Sequence, residues 1–353
     1  MDFTFTDDER AFQEAISRFL MTEAAPEALR EIWETDSGRS PDLRNKMAEQ
    51  GLTALSVPEE AGGLGMGDVA WSLMTQELGY YGIPDSLADT AYVSTGLIAA
   101  LPPTVTDRNG WLEQIAEGSI RIAIGHPVNP LVADAHLADL TLLNHEGEIH
   151  AVPRSLIDVE HNASIDSSRR LCRVMWEPNS ATRIADADTG APIWEAALNR
   201  GALSVAGQLL GLAQRMLDLS VDYVAQRKQF GKPIGSFQAV KHHLADVAGK
   251  IEFAKPVLYR AAYSLQHGNP DAALHISQAH ITCAEAAHLA ARHGIQVHGA
   301  MGYTWEVDLQ MFMKRTWALE SSWGDRAFHK ARISAAIFAD DAPLGPGQTF
   351  GRS

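Results

Sequence analysis

The residues best placed to do chemistry lie between Arg227 and Gln238, in the stretch R-K-Q-F-G-K-P-I-G-S-F-Q. Arg227 closes a long helical pattern, and Gly231, Pro233 and Gly235 turn the chain. Ser236 has the side chain of an N-cap, and Val240, Leu244, Val247, Ile251 and Ala254 share one face of the helix expected after it. An arginine at one helix end, with Gln238 in the first turn of the next, sets a bidentate cation beside backbone N–H groups. That is the chemistry of holding a diphosphate. Taken alone, the same residues also fit an ordinary helix–turn–helix corner with a solvated Arg227 and Lys228.

A second stretch, Gln296–Tyr303, reads Q-V-H-G-A-M-G-Y and runs on into T-W-E-V-D-L-Q-M-F-M-K-R, ending at Arg315. Its small residues Gly299, Ala300 and Gly302 let a flat ligand or another backbone come close. Elsewhere the side chains are less telling. His126 could be a ligand or an acid–base group, although a lone loop histidine reads more simply as solvated. His242, His243, His288 and His293 form no metal-ligand pattern and read as surface or packing residues; no metal site is expected.

The elements that must position these stretches are mostly helical. Thr6 can cap D-D-E-R-A-F-Q-E-A-I-S-R-F-L, with acids in the first turn. Further helical patterns occupy roughly 40–50, 68–81 and 86–101, with the turn-rich loop P-E-E-A-G-G-L-G-M-G (Pro58–Gly67) between them. From about Ser119 the period changes. Arg121–Ile124 and Leu140–Leu143 read as strands, and Asn144–Gly147 turns the latter into a third, Glu148–Val152. From Pro192 the pattern is helical again, at 194–226, 236–266 and 271–293, the last two separated by H-G-N-P. Gly201, Ala206, Gly207 and Gly211 suit close helix packing at some loss of helix propensity. The expected fold class is mostly α with a small central β domain. The expected domains are 1–118 (helical), 119–189 (small β) and 190–353 (helical bundle).

Composition narrows the partners. The chain has 353 residues, 29 Lys+Arg against 44 Asp+Glu and a formal net charge of −15, which argues against a nucleic-acid partner. Only two cysteines, Cys172 and Cys283, are present, far apart and without metal-type spacing. The acidic start M-D-F-T-F-T-D-D-E-R is unlike a signal peptide, and no apolar run approaches a membrane span. A cytoplasmic protein with no membrane association is expected.

R-K-Q-F-G-x-P-I-x-x-F-Q and Q-V-H-G-A-M-G-Y-T-W-E together resemble the signatures of the acyl-CoA dehydrogenase family's C-terminal domain. The resemblance extends over the N-terminal helical half and thus over most of the chain. It implies a three-part fold of N-terminal helical domain, β domain and C-terminal four-helix bundle. It also implies an FAD-dependent α,β-desaturation of an acyl-CoA, with electron-transfer flavoprotein as acceptor. Carried over by position, it makes Arg227, Phe230, Gln238, Gln296, Gly299 and Ala300 the FAD-contacting residues. Ala300 stands where the family has a second glycine.

The sequence departs from that pattern on the other side of the cofactor. Family members carry a T-E-P-x-x-G-S-D type segment that holds the flavin ring and lines the acyl pocket. Here the chain reads Gly125-His126-Pro127-Val128-Asn129-Pro130-Leu131-Val132-Ala133-Asp134. The catalytic carboxylate of most relatives aligns with Gly324, and the alternative position, on the preceding long helix, aligns with Gly201; the nearest acid there is Glu195. No catalytic residue is therefore expected at either base position. Family tetramers share each flavin between two subunits, and this chain keeps one subunit's share without the other's. It is most similar to the shorter, base-less subunit of the heteromeric (α2β2) enzymes of bacterial steroid side-chain degradation. The resemblance implies a homologous catalytic partner subunit and a bulky, steroid-derived acyl-CoA. Two alternatives stay open: a self-sufficient dehydrogenase whose base has moved to Glu320 or Asp325, and a non-catalytic interaction protein on the same fold.

Overall fold

Thr6 caps the first helix, α1 (Asp7–Glu23), in the computed structural model, which describes residues 4–340 and 342. Its hydroxyl accepts from the Glu9 N–H at 3.2 Å while the Glu9 carboxylate accepts from the Thr6 N–H at 2.8 Å, a reciprocal capping box. The following helices are α2 (Pro26–Glu34), α3 (Pro41–Glu49, capped by Ser40), α4 (Asp68–Tyr80), α5 (Thr95–Ala99) and α6 (Arg108–Glu117). Strands then occupy Ile122–Gly125 (β1), Val132–Ala133 (β2), Leu140–His145 (β3), Glu148–Pro153 (β4), Asp158–Asn162 (β5), Leu171–Met175 (β6) and Arg183–Ala185 (β7). The C-terminal part contains α7 (Ala187–Gln226), a hairpin of β8 (Lys228–Gln229) and β9 (Lys232–Pro233), α8 (Gln238–Gln266), α9 (Ala272–His298), α10 (Leu309–Leu319) and α11 (Arg326–Ile337). The described residues are mostly helical, and apart from the short β8–β9 hairpin their strands lie between Ile122 and Ala185. No helix among the described residues is long and apolar enough to cross a membrane.

Two compact units form. The first takes the residues up to Pro26, Ser72–Ile83 and everything from Ala202. Here α8 and α9 run antiparallel, fixed at one end where the His293 ring donates to the His243 carbonyl (2.8 Å) and at the other by Ser264 with His275 (2.8 Å). Val247, Ile251, Ala254 and Leu258 of α8 are fully buried, as their helical spacing requires. Val240 and Leu244 are only half-buried, because the first turns of α8 lie at the surface. The small residues of α7 meet α4 closely: a Cβ at Gly207 would lie 2.0 Å from the Thr75 hydroxyl, and one at Gly211 would lie 2.0 Å from the Gln76 backbone carbonyl. The second half of α4 and the second half of α7 thus cross at backbone contact distance, which any larger residue would prevent.

The second unit, Glu27–Trp71 with Pro84–Gly201, contains two small sheets. The first is ordered β1-β3-β4-β7, with β1 parallel to β3 and the rest antiparallel. The β3–β4 turn sits at Glu146 and Gly147, both at positive φ (51° and 92°), as a two-residue primed hairpin turn demands. The second sheet is ordered β2-β6-β5 and is antiparallel throughout. The helical pattern at 86–101 is interrupted by a π-helical stretch, Asp89–Ser94. Within it the Thr90 hydroxyl donates to the Ile122 carbonyl and accepts the Ile122 N–H, satisfying the backbone at the start of β1.

Besides α9, which runs on to His298 rather than ending at 293, two helix starts differ from the sequence reading. α7 starts at Ala187 rather than near Pro192, because Asp186 accepts the Thr189 N–H at 2.9 Å and opens the helix early. Ser236 does not cap α8. It lies in a 3₁₀ turn and its hydroxyl donates back to the Pro233 carbonyl at 2.7 Å, so Phe237 occupies the cap position and no side chain caps α8.

Candidate functional site

At the C-terminal end of α7 the backbone makes a tight corner. The Ile234 N–H donates to the Arg227 carbonyl at 2.8 Å, and the β8–β9 hairpin between them turns through Phe230 (φ 53°) and Gly231 (φ 79°). A phenylalanine in the left-handed region stores strain, and its ring is 90% exposed. Behind it Phe237 anchors the corner: the Phe230 ring meets it edge-on at 6.1 Å, and the Lys232 ammonium lies 4.4 Å above it. Arg227 and Gln238 project from this corner into solvent. Because α8 begins without a side-chain cap, its first-turn N–H groups form an electropositive end.

The end of α9 is brought to the same corner. Tyr223, one turn before Arg227, stacks on His298 with ring centroids 4.1 Å apart, and its hydroxyl donates to the His298 carbonyl at 3.4 Å. Gly299 follows at φ 59°, ψ −136°, a backbone conformation open essentially to glycine alone. Gln296, Gly299 and Ala300 are exposed. All six candidates therefore lie on the surface of one unit, where the C-terminus of α7, the N-terminus of α8 and the C-terminus of α9 converge. Two exposed aromatics that the sequence reading passed over adjoin them: Tyr303 (80% exposed) and Trp305 (70%), the latter with the Lys314 ammonium 3.6 Å above its ring. Both stood in the quoted G-Y-T-W-E motif, and their size in so small-residue a stretch was the available signal.

From Gln296 a cavity of about 1350 Å³ opens along α9 toward Glu320 and Asp325. Asp325 caps α11, accepting the Phe328 N–H at 2.8 Å. Burial pushes the Glu320 carboxyl up, against the opposing pull of His288, whose ring lies 3.2 Å away. Gly324 stands at φ 100°, and a Cβ there would lie 2.4 Å from the Phe328 ring and 2.9 Å from His329. No side chain of any kind fits at that position.

Of the two acids, Glu320 has the raised carboxyl that a base needs, and Asp325 is committed to its helix. Glu320→Gln and Asp325→Asn are each expected to leave turnover of the assembled enzyme within several-fold. A drop in kcat of about a thousandfold in folded protein would locate the base here.

The substituted segment 125–134 lies in the other unit and is tied into that unit's interior. His126 is buried rather than solvated, which corrects the sequence reading. Its Nδ1 accepts the Val128 N–H at 3.1 Å, so its Nε2–H donates to the Trp194 carbonyl at 3.2 Å. Burial lowers its pKa to about 4, leaving the ring neutral and both nitrogens engaged. At the far end, Asp134 is wholly buried at φ 56°. It holds Arg39 through two bonds of 2.6 and 2.8 Å, Arg121 at 3.3 Å and the Ser86 hydroxyl at 2.7 Å, while Asp85 pairs with Arg44 and Arg121. The carboxylates of Asp85 and Asp134 and the guanidinium groups of Arg39, Arg44 and Arg121 thus serve one another within this unit.

Comparison with known proteins gives the family. A model of the acyl-CoA dehydrogenase N-terminal domain matches residues 6–119, and one of the C-terminal domain matches 188–338. The chain is 32% identical to the acyl-CoA dehydrogenase IpdE2 of Mycobacterium tuberculosis over 88% of its own length and 91% of that protein's. It belongs to the acyl-CoA dehydrogenase family. Family members are FAD-dependent oxidoreductases. Among solved structures the fold matches a chain of the ChsE4–ChsE5 complex of Mycobacterium tuberculosis (TM-score 0.84, 21% identity, 96% of this chain and 99% of that one). It also matches a chain of the Tcur3481–Tcur3483 steroid ACAD (TM-score 0.83, 20% identity, 93% and 97%).

Proposed function

We propose that this chain is the flavin-supporting, base-less subunit of a heteromeric acyl-CoA dehydrogenase acting on a bulky acyl-CoA, with a homologous subunit supplying the ring side and the base. The observation that carries this reading is the split between its two cofactor-facing regions. Arg227, Gln238, Gln296, Gly299 and Ala300 stand exposed around three converging helix ends, whereas the two polar side chains at the ends of segment 125–134, His126 and Asp134, are buried and hydrogen-bonded within their own unit.

FAD fits the exposed half. The uncapped start of α8 and the Arg227 guanidinium suit a diphosphate, and the glycine-only backbone at Gly299 allows an adenine or ribose to approach. Held by Arg227, Gln238, Gln296 and the backbone at Gly299, FAD would supply a hydride acceptor for the β-hydrogen of the acyl chain, the α-proton going to a carboxylate of the partner. In that division of labour this chain's residues bind and orient. Arg227 neutralises the diphosphate, Gln238 and Gln296 fix its neighbours by hydrogen bonding, and Phe230 extends an apolar contact toward the partner. The exposed Phe230, Tyr303 and Trp305 are large aromatics of the kind enriched at interfaces.

Support for two subunits also comes from the solved ChsE4–ChsE5 complex, and support for a steroid-derived acyl group from the steroid ACAD of matching fold. The acceptor this reading expects is electron-transfer flavoprotein. The test is flavin stoichiometry. Expressed alone, the chain should hold little FAD; co-purified with its partner, the complex should hold about one FAD per pair of chains. A full flavin per isolated chain would point to the self-sufficient dehydrogenase, with Glu320 as its base.

A further inference from the structure

Away from the flavin-facing surface, the β2-β6-β5 sheet brings together three metal-ligating side chains that are widely spaced in sequence. Cys172 on β6 lies directly opposite His161 on β5 in the antiparallel register, and β2, paired to the other edge of β6, leads into the turn that carries His136. The Cys172 Sγ lies 3.9 Å from Nδ1 of His136 and 3.9 Å from Nδ1 of His161, and the three donor atoms all fall within 4.8 Å of one another. The two rings meet edge to face, with centroids 4.8 Å apart.

We propose that His136, His161 and Cys172 form a binding site for a zinc-class divalent cation. Tetrahedral zinc with sulfur at about 2.3 Å and nitrogen at about 2.0–2.1 Å separates such donors by roughly 3.5 Å, so the two sulfur–nitrogen distances need close by only a few tenths of an ångström and the two nitrogens, within 4.8 Å of each other, by at most about 1.5 Å, a shift the exposed His161 ring can make. One thiolate and two imidazoles make a donor set of the softness that zinc and cobalt prefer.

The surroundings are those of a ligand set. The His136 Nε2–H donates to the Ser37 carbonyl at 3.0 Å, which fixes the tautomer and turns the Nδ1 lone pair toward Cys172. Burial lowers the His136 pKa, keeping that imidazole in its neutral, ligating form. Cys172 is fully buried against Val132, Ala123, Ala135 and Ala138, an apolar shell that keeps water off the sulfur. Burial pushes its thiol up, so binding releases the Cys172 proton to solvent as the metal–sulfur bond forms. His161 is exposed, giving the ion a path in and leaving its fourth position to water. A bound ion would link β5, β6 and the turn after β2.

The experiment is a cobalt titration of the chelator-stripped, full-length chain. One Co²⁺ per chain is expected, with thiolate-to-metal absorption in the near ultraviolet and the intense visible bands of a tetrahedral site. Cys172→Ser should abolish the thiolate band, and His161→Ala should weaken binding by roughly tenfold or more. Cys283→Ser, which alters the buried thiol of α9, should leave both unchanged. Absence of the thiolate band in the unaltered protein, or its survival in Cys172→Ser, overturns the proposal. Should Cys172→Ser fail to fold, the exposed His161→Ala decides alone, and unchanged cobalt affinity there overturns it.

Discussion

Asp134→Asn is expected to cost about 3–5 kcal/mol of stability, because it leaves Arg39 and Arg121 buried without their shared counter-charge. Burial by itself would push the Asp134 carboxyl up. The charges and hydrogen bonds of Arg39, with help from Arg121 and Ser86, overcome this and hold it at about 2. A carboxylate held below its unfolded value near 3.8 stabilises the fold above that value, and the contribution fades as pH falls through the folded one. The unaltered chain should therefore lose stability between about pH 4 and pH 2, on the order of 2 kcal/mol from this group, and Asp134→Asn should flatten that part of the profile. Denaturant unfolding across this pH range checks both statements. The control is Glu14→Gln, which breaks the exposed Glu14–Arg18 pair (3.7 Å) and should change stability by no more than about 0.5 kcal/mol. If Asp134→Asn behaves like the control, the network around Asp134 is not held together by charge.

Arg227→Ala should weaken FAD retention in the assembled enzyme by ~2 kcal/mol, roughly thirtyfold, which is the scale of losing a charge-assisted hydrogen bond to a phosphate. Lys228 and Lys232 are poor replacements: each is a point charge on a flexible stem, and Lys232 already lies over Phe237. Activity should partly return with excess FAD, since the proposed division leaves the ring and base with the partner. Lys228→Ala should change little. Dialysis followed by flavin absorbance decides the matter. Complexes of Arg227→Ala that keep their flavin would make Arg227 a solvated surface residue, as the ordinary-corner reading has it.

Local signals were readable in the sequence wherever one residue and its near neighbours determine the outcome. Thr6 with Glu9, the Asn144–Gly147 turn, and the Gly207 and Gly211 crossing are of this kind. The two C-terminal motifs could be quoted, but their meeting could not be derived: it depends on Tyr223 stacking on His298 across two helices. Ser236 misled because its hydroxyl had a nearer acceptor, the Pro233 carbonyl. His126 misled because its burial is set by Trp194, far along the chain. His136, His161 and Cys172 carried no sign at all, since strand register, not spacing, brings them together. Asp186 was a start signal in plain view, outweighed by the break that Pro192 appeared to mark.

The packing around Gly324 has an evolutionary consequence. Placing a carboxylate there by one substitution would set a Cβ 2.4 Å from the Phe328 ring and force an L-residue to φ 100°. The ancestral side chain could return only after Phe328 and His329 had moved aside and the backbone had flipped. Such a loss acts as a ratchet. With Phe328 and His329 packed over the bare backbone of Gly324, reversion at this position by a single substitution is blocked, and on the proposed reading what remains open to selection is what the chain does for its partner's chemistry.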